Sequence, residues 1–546
     1  MRQLILCCDG TNNNFTGGAT DTHVVRLREL LAAHNDADQR IFYDPGVGNA
    51  GTLPGATWGA QFRGWAERVA GLALGRGVFE NIEEGYRFLM QNYQVGDQIF
   101  VFGFSRGAFT ARSIAGLVNQ FGVLKPEARA MVPTLLHLYF SDYNKIKPGE
   151  DARPHALTDQ IVRCFGQGLV PIHFVGVWDT VASVGLWPLQ LKFTTKPRLT
   201  GKHFVHVRQA LALDEQRAQF QPRPYAQDNG PFECGDGLGA GSFTQLWFRG
   251  SHCDVGGGYA PQDSRLSMAP LCWLLSEACT QGLRLTHAGQ PLDSEAAVMG
   301  ALQAHVPPLS SPAGSELRVH SQLQVTPIWA ITGMAIRRTH CVELNGAPPV
   351  PVKPEEHPSV AEWAAQYPKD TSWARWSPGK ADLAMLLLVL CSLLGMRWAA
   401  GSQEGAHAFA AWQLAWLAHG WPVAWPEGSN HLLWQLLLDL PLIVGWAWVL
   451  SIPASRAFAR RAGLRRITSR GPDWIRPLGW ALALAVIADL GENLFTLFTL
   501  VALNFDHANI ASLFAVVMSA CSLGKWLGIA GTLLLIASGL LPARKN

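Results

Sequence analysis

The chain has 546 residues, which is long enough for more than one domain with a buried core. Its net charge is only +3, so no overall basic field argues for a nucleic-acid partner. The ten cysteines lack metal-like spacing, which favours free thiols in a reducing compartment. The composition is unusual in its 21 tryptophans and its low charged fraction of 16%. The charged residues are concentrated before about Lys380, and long apolar runs follow it.

The chain before about residue 345 alternates strand-like and helical patterns. It begins with a strand that is too short, and too soon interrupted by Asp9, to be a signal peptide. A glycine-rich stretch from Gly46 to about Gly59 predicts either a flap over a site or a surface loop. The alternation predicts a mostly parallel sheet flanked by helices. The predicted strands are 3–8, 41–43, 99–102, 171–178, 203–207 and 245–248, and the clearest predicted helices are 22–34 and 78–93.

The central feature of this region is the turn Gly103-Phe-Ser-Arg-Gly107. An apolar strand precedes it, and a helical pattern that includes Ala108, Ala111 and Ile114 follows it. Only glycine fits beside such a tight strand-to-helix turn, and the turn raises the serine hydroxyl above the sheet. We therefore predict that Ser105 is a nucleophile. The alternative is an ordinary glycine-tight turn with a buried serine.

A serine nucleophile needs a histidine base and a carboxylate that orients it. In this topology, both partners follow the serine and lie after the carboxyl ends of strands. Asp179 ends the strand 171–178 and is the predicted acid, whereas His252 follows the strand 245–248 and is the predicted base. Asp214 and Asp254 are weaker candidates for the acid. The histidines within or beside strands are predicted to be core or sheet-face residues, namely His173, His203 and His206.

An acyl-transfer site also needs two backbone N–H groups for the oxyanion. Arg106 follows the nucleophile and is the predicted first donor, and the turn at Gly10 and Thr11 is the predicted source of the second. We expect no cofactor and no metal. Asp254, with the glycines at 256–258, could ligate an ion, but a glycine-rich structural turn is favoured.

Beyond residue 345 the composition changes. Seven prolines in residues 346–380 predict a linker, and residues 381–546 contain four long apolar runs, enough for three to four transmembrane helices. Lys525 could split the last run, and a buried helical subdomain is the alternative to a membrane region. Residues 407–425 predict an interfacial segment. The predicted spans are about 382–398, 431–452, 478–503 and 510–541.

Charge in the loops predicts the orientation. Seven arginines lie between the second and third runs, and the tail ends Arg544-Lys545, so both segments are predicted to be cytoplasmic. With four spans the N-terminal domain lies on that side of a bacterial inner membrane, in a multi-pass protein. The charges inside the runs should pair in the bundle interior, and Lys525 is expected to pair with Asp489 or Glu492. An ion or proton pathway is the alternative role for these charges.

Five motifs occur in order along the first 260 residues: Cys8-Asp-Gly-Thr-Asn-Asn13, Tyr43-Asp-Pro-Gly-Val-Gly48, Gly103-Phe-Ser-Arg-Gly-Ala108, Val177-Trp-Asp-Thr-Val181 and Gly250-Ser-His-Cys-Asp-Val-Gly-Gly-Gly-Tyr259. Together they resemble one group of α/β-hydrolases, the catalytic domains of the phospholipase effectors of bacterial type VI secretion systems. The resemblance implies an α/β-hydrolase fold, a Ser105–Asp179–His252 triad and hydrolysis of glycerophospholipid acyl esters. It also implies delivery to a target cell, with a secretion-system carrier and an immunity protein as partners.

The resemblance ends near residue 345, so three other functions stay open. The protein could be a resident membrane-anchored lipase or esterase, because a membrane anchor beside an esterase favours a lipid substrate. It could be a membrane sensor or transport protein whose hydrolase-like domain is not catalytic. It could also act through a pore-forming bundle at residues 381–546, with the hydrolase auxiliary.

Overall fold

A computed structural model gives the fold of most of the chain. Residues 47–59 of the glycine-rich stretch, the predicted interfacial segment 407–425 and Thr11 lie outside the described residues. The structure describes residues 1–10, 21–34, 38–46, 76–142, 156–168, 170–181, 183–184, 191–192, 197–259, 265–287, 290–303, 319–337, 340–341, 350–366, 379–399, 432–462 and 475–540.

The N-terminal region contains a seven-stranded sheet with the order β2-β1-β3-β4-β5-β7-β6. All neighbouring strands are parallel except β6, which pairs antiparallel with β7 at one edge. The mostly parallel sheet is confirmed, and the boundaries of each predicted strand lie within five residues of the observed ones. The strands are β1 Gln3–Cys8, β2 Gln39–Asp44, β3 Gln98–Phe104, β4 Ile172–Trp178, β5 Phe204–Ala212, β6 Gly230–Glu233 and β7 Ala240–Phe248.

Helices cover both faces of this sheet, because alternate residues of its central strands point to opposite sides and are apolar on both. Leu4 and Leu6 of β1 join one core, against α2 to α5, whereas Ile5 and Cys7 join the other, against α1, α7 and α8. The helices are α1 His23–His34, α2 Arg76–Asn92, α3 Arg106–Phe121, α4 Val132–Asp142, α5 Ala156–Phe165, α6 His252–Gly256, α7 Arg265–Thr280, α8 Glu295–Gln303, α9 Gln322–Val325 and α10 Pro358–Gln366.

The register of the strands brings the predicted site residues to one edge of the sheet. Cys8 of β1 pairs with Gly103 of β3, and Phe104 pairs with Trp178 of β4. Further across, Trp178 pairs with Ala210 and Ala212 with Phe248. The turns after β1, β3, β4 and β7 therefore open at the same carboxyl edge, where α/β sheets build their sites.

The described part of the proline-rich segment packs against the hydrolase region. Val350–Pro351 pairs with His340–Cys341, and α10 follows at Pro358–Gln366. The backbone N–H of Trp247 in β7 donates to the Glu355 carbonyl, and the Trp247 carbonyl accepts from the backbone N–H of His357. Residues 350–366 thus include one strand of a pair and a helix, which the proline count alone did not predict.

In its described residues, the C-terminal region is helical, with four helices that are long and apolar enough to cross a membrane. Large apolar side chains such as Leu387, Leu394 and Leu534 are exposed on these helices. The last helix runs unbroken through Lys525, so the expectation that this residue could split the run is wrong. The helices are α11 Lys380–Ala399, α12 Leu432–Ala462, α13 Ile475–Asn504 and α14 Ala508–Leu540.

Lys525 is accommodated because its charge is paired inside the bundle. Its Nζ lies 3.0 Å from Asp489 Oδ1 and 2.5 Å from Glu492 Oε2, both on α13. Asp489 also accepts from the indole of Trp446, and Asn493 donates to Asp439. The expected pairing of Lys525 with the carboxylates of α13 is confirmed.

Candidate active site

The turn between β3 and α3 is held in a conformation that L-residues rarely adopt. Ser105 has φ 59° and ψ −122°. A Cβ on Gly103 would lie 2.5 Å from the Gly107 carbonyl oxygen, and one on Gly107 would lie 2.2 Å from that of Cys8. Both glycines are therefore required by backbone contacts, and Gly107 lets the end of β1 approach the turn. The predicted tight turn at Ser105 is present.

Ser105, His252 and Asp179 form one hydrogen-bonded chain across the carboxyl edge of the sheet. Ser105 Oγ lies 2.7 Å from His252 Nε2, and His252 Nδ1 lies 2.6 Å from Asp179 Oδ2. The Asp179 carboxylate selects the tautomer with its proton on Nδ1, so Nε2 is left as the acceptor for the serine hydroxyl. This arrangement can deprotonate Ser105 during an attack on an acyl carbon.

Asp179 is fully buried, and its carboxylate is bound from three directions. Its Oδ1 accepts from the Ala212 N–H at 3.1 Å, and its Oδ2 accepts from His252 and from Arg337 Nη2, the latter at 2.5 Å. The residue has φ 36°, a second strained position directly after a strand. The carboxylate is therefore fixed in place before any substrate binds.

His252 is the first residue of the short helix α6, which a capping box stabilises. The side chain of Asp254 accepts from the Ser251 N–H at 2.8 Å, and the Ser251 side chain caps the helix in return. The imidazole lies between the rings of Phe104 and Phe220, at centroid distances of 4.6 and 4.9 Å. This burial lowers the pKa of His252 although Asp179 opposes the shift, so the neutral base is favoured.

Glu215 forms a second charged pair beside His252. Its Oε1 and Oε2 accept from Arg217 at 2.9 and 2.8 Å, and Oε2 also accepts from the His252 N–H at 3.2 Å. Burial alone would raise the pKa of Glu215, but Arg217 and the nearby cations lower it to about 2. The site thus holds two carboxylates and two guanidinium groups, and their charges balance around the histidine.

The sequence analysis did not identify Glu215 or Arg337. Glu215 could have been noticed, because it follows β5 at the same sheet edge and next to the weaker candidate Asp214. Arg337 has no comparable signal, since it lies 158 positions from Asp179 in a segment without a motif.

The weaker candidates for the acid have other partners. Asp214 forms an ion pair with Arg249, whose Nε lies 3.1 Å from its Oδ2, and it accepts a hydrogen bond from the Gly250 N–H at 2.8 Å. Asp254, the alternative ion ligand, binds Ser251 and lies 2.6 Å from His320 Nδ1. The histidines within or beside strands contact groups outside the triad: His173 the Gln281 carbonyl, His206 Ser242, and His203 Asp236.

The two predicted oxyanion donors differ in availability. Arg106 begins α3, and the first N–H groups of a helix have no partner within it. The Gly10 N–H, in contrast, donates to its neighbour Asp9 at 2.7 Å, so in this structure it is not free for a ligand. Thr11 lies outside the described residues. The second donor therefore stays a prediction.

The hydrolase region resembles known proteins. A model of the catalytic domain of Tle1-like type VI secretion phospholipase effectors matches residues 2–277, about half of the chain. The uncharacterized protein YEL023C of Saccharomyces cerevisiae is 32% identical over 234 residues, which is 41% of this chain and 33% of that protein. The chain thus matches about a third of the length of this curated relative.

A solved structure of the Tle1 effector bound to the VgrG spike of the type VI secretion system is 20% identical. The alignment covers 49% of this chain and 52% of the effector, with a TM-score of 0.25. The family match, over residues that include Ser105, Asp179 and His252, shows that the chain belongs to the Tle1-like phospholipase effector family of the type VI secretion system.

Proposed function

We propose that the protein is a membrane-anchored serine phospholipase that cleaves acyl esters of glycerophospholipids. The single observation that carries this proposal is the hydrogen-bonded chain from Ser105 through His252 to Asp179, within a Tle1-like catalytic domain. The strained turn at Ser105 and the buried, neutral histidine support it, since both suit nucleophilic attack on an ester.

In the proposed mechanism, Ser105 Oγ attacks the acyl carbonyl while His252 Nε2 takes the hydroxyl proton. Asp179 holds the imidazole and stabilises the imidazolium. The Arg106 N–H is the first proposed donor to the oxyanion, and Gly10 or Thr11 would supply the second after local rearrangement. His252 then returns the proton to the leaving lysophospholipid alcohol. In deacylation, His252 takes a proton from water, whose oxygen attacks the acyl carbon. The bond to Ser105 Oγ then breaks, His252 returns the proton to the serine, and the fatty acid is released.

The C-terminal helices are the proposed membrane anchor. They expose leucines and tryptophans, whereas the polar residues Glu492, Thr496 and Ser519 are buried among them, the distribution expected of a bundle surrounded by lipid. The domain boundaries near residues 345 and 380 remain part of this proposal. Fixing the catalytic domain to a bilayer would remove the search for an insoluble substrate.

The packing also supports the predicted orientation. The hydrolase region contacts the bundle at Ala454 and Phe458, near the end of α12, and at Leu478, near the start of α13. The predicted arginine-rich loop joins these same two helix ends. By the positive-inside rule the catalytic domain is then cytoplasmic in the inner membrane of a bacterium.

Two biological settings fit this chemistry. Family membership favours delivery to a rival cell, with a secretion-system carrier and an immunity protein as partners. The four apolar helices, which lie outside the matched residues 2–277, favour a lipase resident in its own membrane.

The test is fluorophosphonate labelling of the purified full chain in detergent, together with fatty-acid release from phosphatidylethanolamine and phosphatidylglycerol vesicles. We expect wild type to be labelled and to release fatty acid, and Ser105→Ala to do neither. Labelling without fatty-acid release would retain the nucleophile but exclude the phospholipase. An unlabelled wild type would instead favour a sensor or transport protein with a non-catalytic hydrolase domain.

A further inference from the structure

Residues 319–337, called here the bridging segment, contact both the candidate active site and the membrane helices. The segment lies beyond the matched residues 2–277. It comprises α9, a 3-10 turn at Pro327–Thr332 and the residues up to Arg337. These contacts place the bridging segment between the proposed active site and the proposed membrane anchor.

On the active-site side, the bridging segment ends at Arg337, a fully buried arginine. Its Nη2 donates to Asp179 Oδ2 at 2.5 Å, and its Nη1 donates to the Phe220 carbonyl. The Arg337 guanidinium thus links Asp179, whose carboxylate orients His252, to Phe220, whose ring packs against His252. The planar, forked geometry of arginine suits this double contact, whereas lysine would offer only a point charge.

The backbone of the bridging segment is attached to the same loop. The Ala335 N–H donates to the Gln216 carbonyl at 2.8 Å, and the Ala218 N–H donates to the Gly333 carbonyl at 3.0 Å. The guanidinium of Arg217 lies 3.6 Å from the ring centroid of Phe220 and 5.2 Å from that of Trp329. The segment and the loop beside His252 therefore form one packed unit.

On the membrane side, the bridging segment is buried against the bundle. Its residues Leu323, Ala330, Met334 and Ile336 share one apolar cluster with membrane-helix residues. These partners come from three different helices, so the cluster exists only when the bundle is assembled. They are Ala454 and Phe458 of α12, Leu478 and Leu482 of α13, and Ile536 of α14.

Gly479 allows a close backbone approach between α13 and the bridging segment. A Cβ built on this residue of α13 would lie 3.1 Å from Gly333 Cα and 3.6 Å from the Ala330 carbonyl oxygen. Glycine is thus the residue that lets the helix meet the backbone of the bridging segment. A larger side chain would push against the segment four residues before Arg337.

We propose that Arg337 is a positioning residue for Asp179 and that the assembled membrane bundle holds it in place through the bridging segment. The hydrolase would then reach full activity only when its anchor is folded. This inference rests on the proposed function, because its main readout is hydrolysis that depends on Ser105.

The test uses the full chain in detergent and an uncharged, soluble short-chain ester, so that lipid binding does not enter. We expect Arg337→Met to lower kcat by about a hundredfold with little change in KM, since Arg337 acts through Asp179. The charged groups around His252 are Asp179, Glu215, Arg217 and Arg337. Removal of the Arg337 charge stabilises the imidazolium form of His252 and so raises its pKa. The acidic limb of the kcat/KM profile should therefore move up by about one pH unit.

Arg337→Lys separates charge from geometry. It should keep the acidic limb near its wild-type position and recover only part of kcat. If Arg337→Met retains wild-type kcat, or loses activity in equal proportion at every pH with an unmoved limb, Arg337 has no positioning role and the inference is wrong.

The contact with the bundle is tested at Gly479. Gly479→Leu should reproduce both the loss of kcat and the shift of the acidic limb, with Gly479→Ala between it and wild type. The matched control is Gly491→Leu on the same helix, because Gly491 faces Cys521 inside the bundle and not the bridging segment. Thermal unfolding of each variant verifies that it is folded.

The outcomes separate the two proposals. A wild-type protein without Ser105-dependent hydrolysis would overturn the proposed function, and this inference with it. An active wild type with unaffected Arg337 and Gly479 variants would overturn this inference alone. Equal losses in Gly479→Leu and Gly491→Leu would show that any damage to the bundle suffices and would exclude a specific role for the bridging segment.

Discussion

Arg337 and His252 bind the same carboxylate oxygen, Asp179 Oδ2, at 2.5 and 2.6 Å. A carboxylate that accepts two such bonds in a buried site cannot rotate away from the histidine without leaving a cation unpaired. Arg337 thus contacts the carboxylate that binds the imidazole of His252, which is the geometric basis of the positioning role proposed for it.

The role proposed for Asp179 predicts a clear contrast with Asp214. Asp179→Asn should lower kcat by about a thousandfold or more, because an amide permits the wrong histidine tautomer. Asp214→Asn is the matched control, since Asp214 binds Arg249 and the Gly250 N–H instead. Steady-state kinetics on a soluble ester provide the measurement. Comparable losses in both variants would contradict the assignment of the acid.

The burial of His252 predicts activity in mildly acidic solution. Burial lowers the pKa of this histidine, so the neutral form that accepts the serine proton persists below the ordinary histidine value of about 6.5. The acidic limb of kcat/KM should therefore lie below pH 6.5 and not above it. A pH profile between about 4 and 8, corrected for enzyme inactivation, measures the limb. A midpoint above pH 7 would show that Asp179 outweighs burial.

Glu215 is predicted to stabilise the fold in a pH-dependent way. Glu215→Gln leaves Arg217 buried without its charge partner, which should cost about 3 kcal/mol or more of unfolding free energy near neutral pH. The pKa of Glu215 is lowered to about 2, so its stabilisation is full above the unfolded value of about 4.3 and is lost as the pH falls towards 2.

The measurement is chemical unfolding of wild type and Glu215→Gln at several pH values. The difference between them should shrink progressively below about pH 4. Glu355→Gln serves as a control, because its carboxylate is much more exposed and its ion pair with Lys353 is long, at 3.8 Å. A Glu215→Gln deficit that stays constant down to pH 2 would rule out a charge-based origin.

The Arg106 side chain is predicted to lower KM for phospholipids but not for uncharged esters. It directly follows Ser105, and burial lowers the pKa of its guanidinium to about 10. Within the described part of the chain, no carboxylate forms an ion pair with it. A charged guanidinium that forms no ion pair with a carboxylate of the described residues can bind a phosphodiester. Arg106→Met should raise KM for phospholipid about tenfold and leave an uncharged ester largely unaffected.

The substrate pair is the internal control for Arg106, because the backbone N–H proposed for the oxyanion is retained in the variant. Mixed micelles of detergent and phosphatidylglycerol allow KM to be measured at constant surface dilution. An equal loss for both substrates would indicate that Arg106 supports the turn and does not select the phosphate.

Much of the fold and site could be read from local patterns. Apolar runs predicted the strands and the long helices, because burial on both faces of a sheet, or within lipid, requires uninterrupted apolar residues. The glycines around Ser105 predicted the tight turn, since no other residue fits that backbone. Asp179 and His252 were predicted because each follows the carboxyl end of a buried strand, and parallel strands present those ends at one edge.

Other features required the tertiary structure. Only the fold shows that Asp179, and not Asp214 or Asp254, reaches His252, because all three follow strand ends and differ only in the partners they meet. The engagement of the Gly10 N–H by Asp9 has no signature in composition or spacing. Likewise, α14 stays unbroken at Lys525 because carboxylates from the neighbouring helix neutralise its charge.

The amino-acid sequence by itself determined the order of the elements, the nucleophile turn and the apolar helices, because each depends on residues adjacent in the chain. The tertiary structure alone decided that Arg337 supports Asp179 and that the bridging segment is packed against the bundle. These contacts join residues more than a hundred positions apart, and their energies depend on burial, which no local pattern encodes.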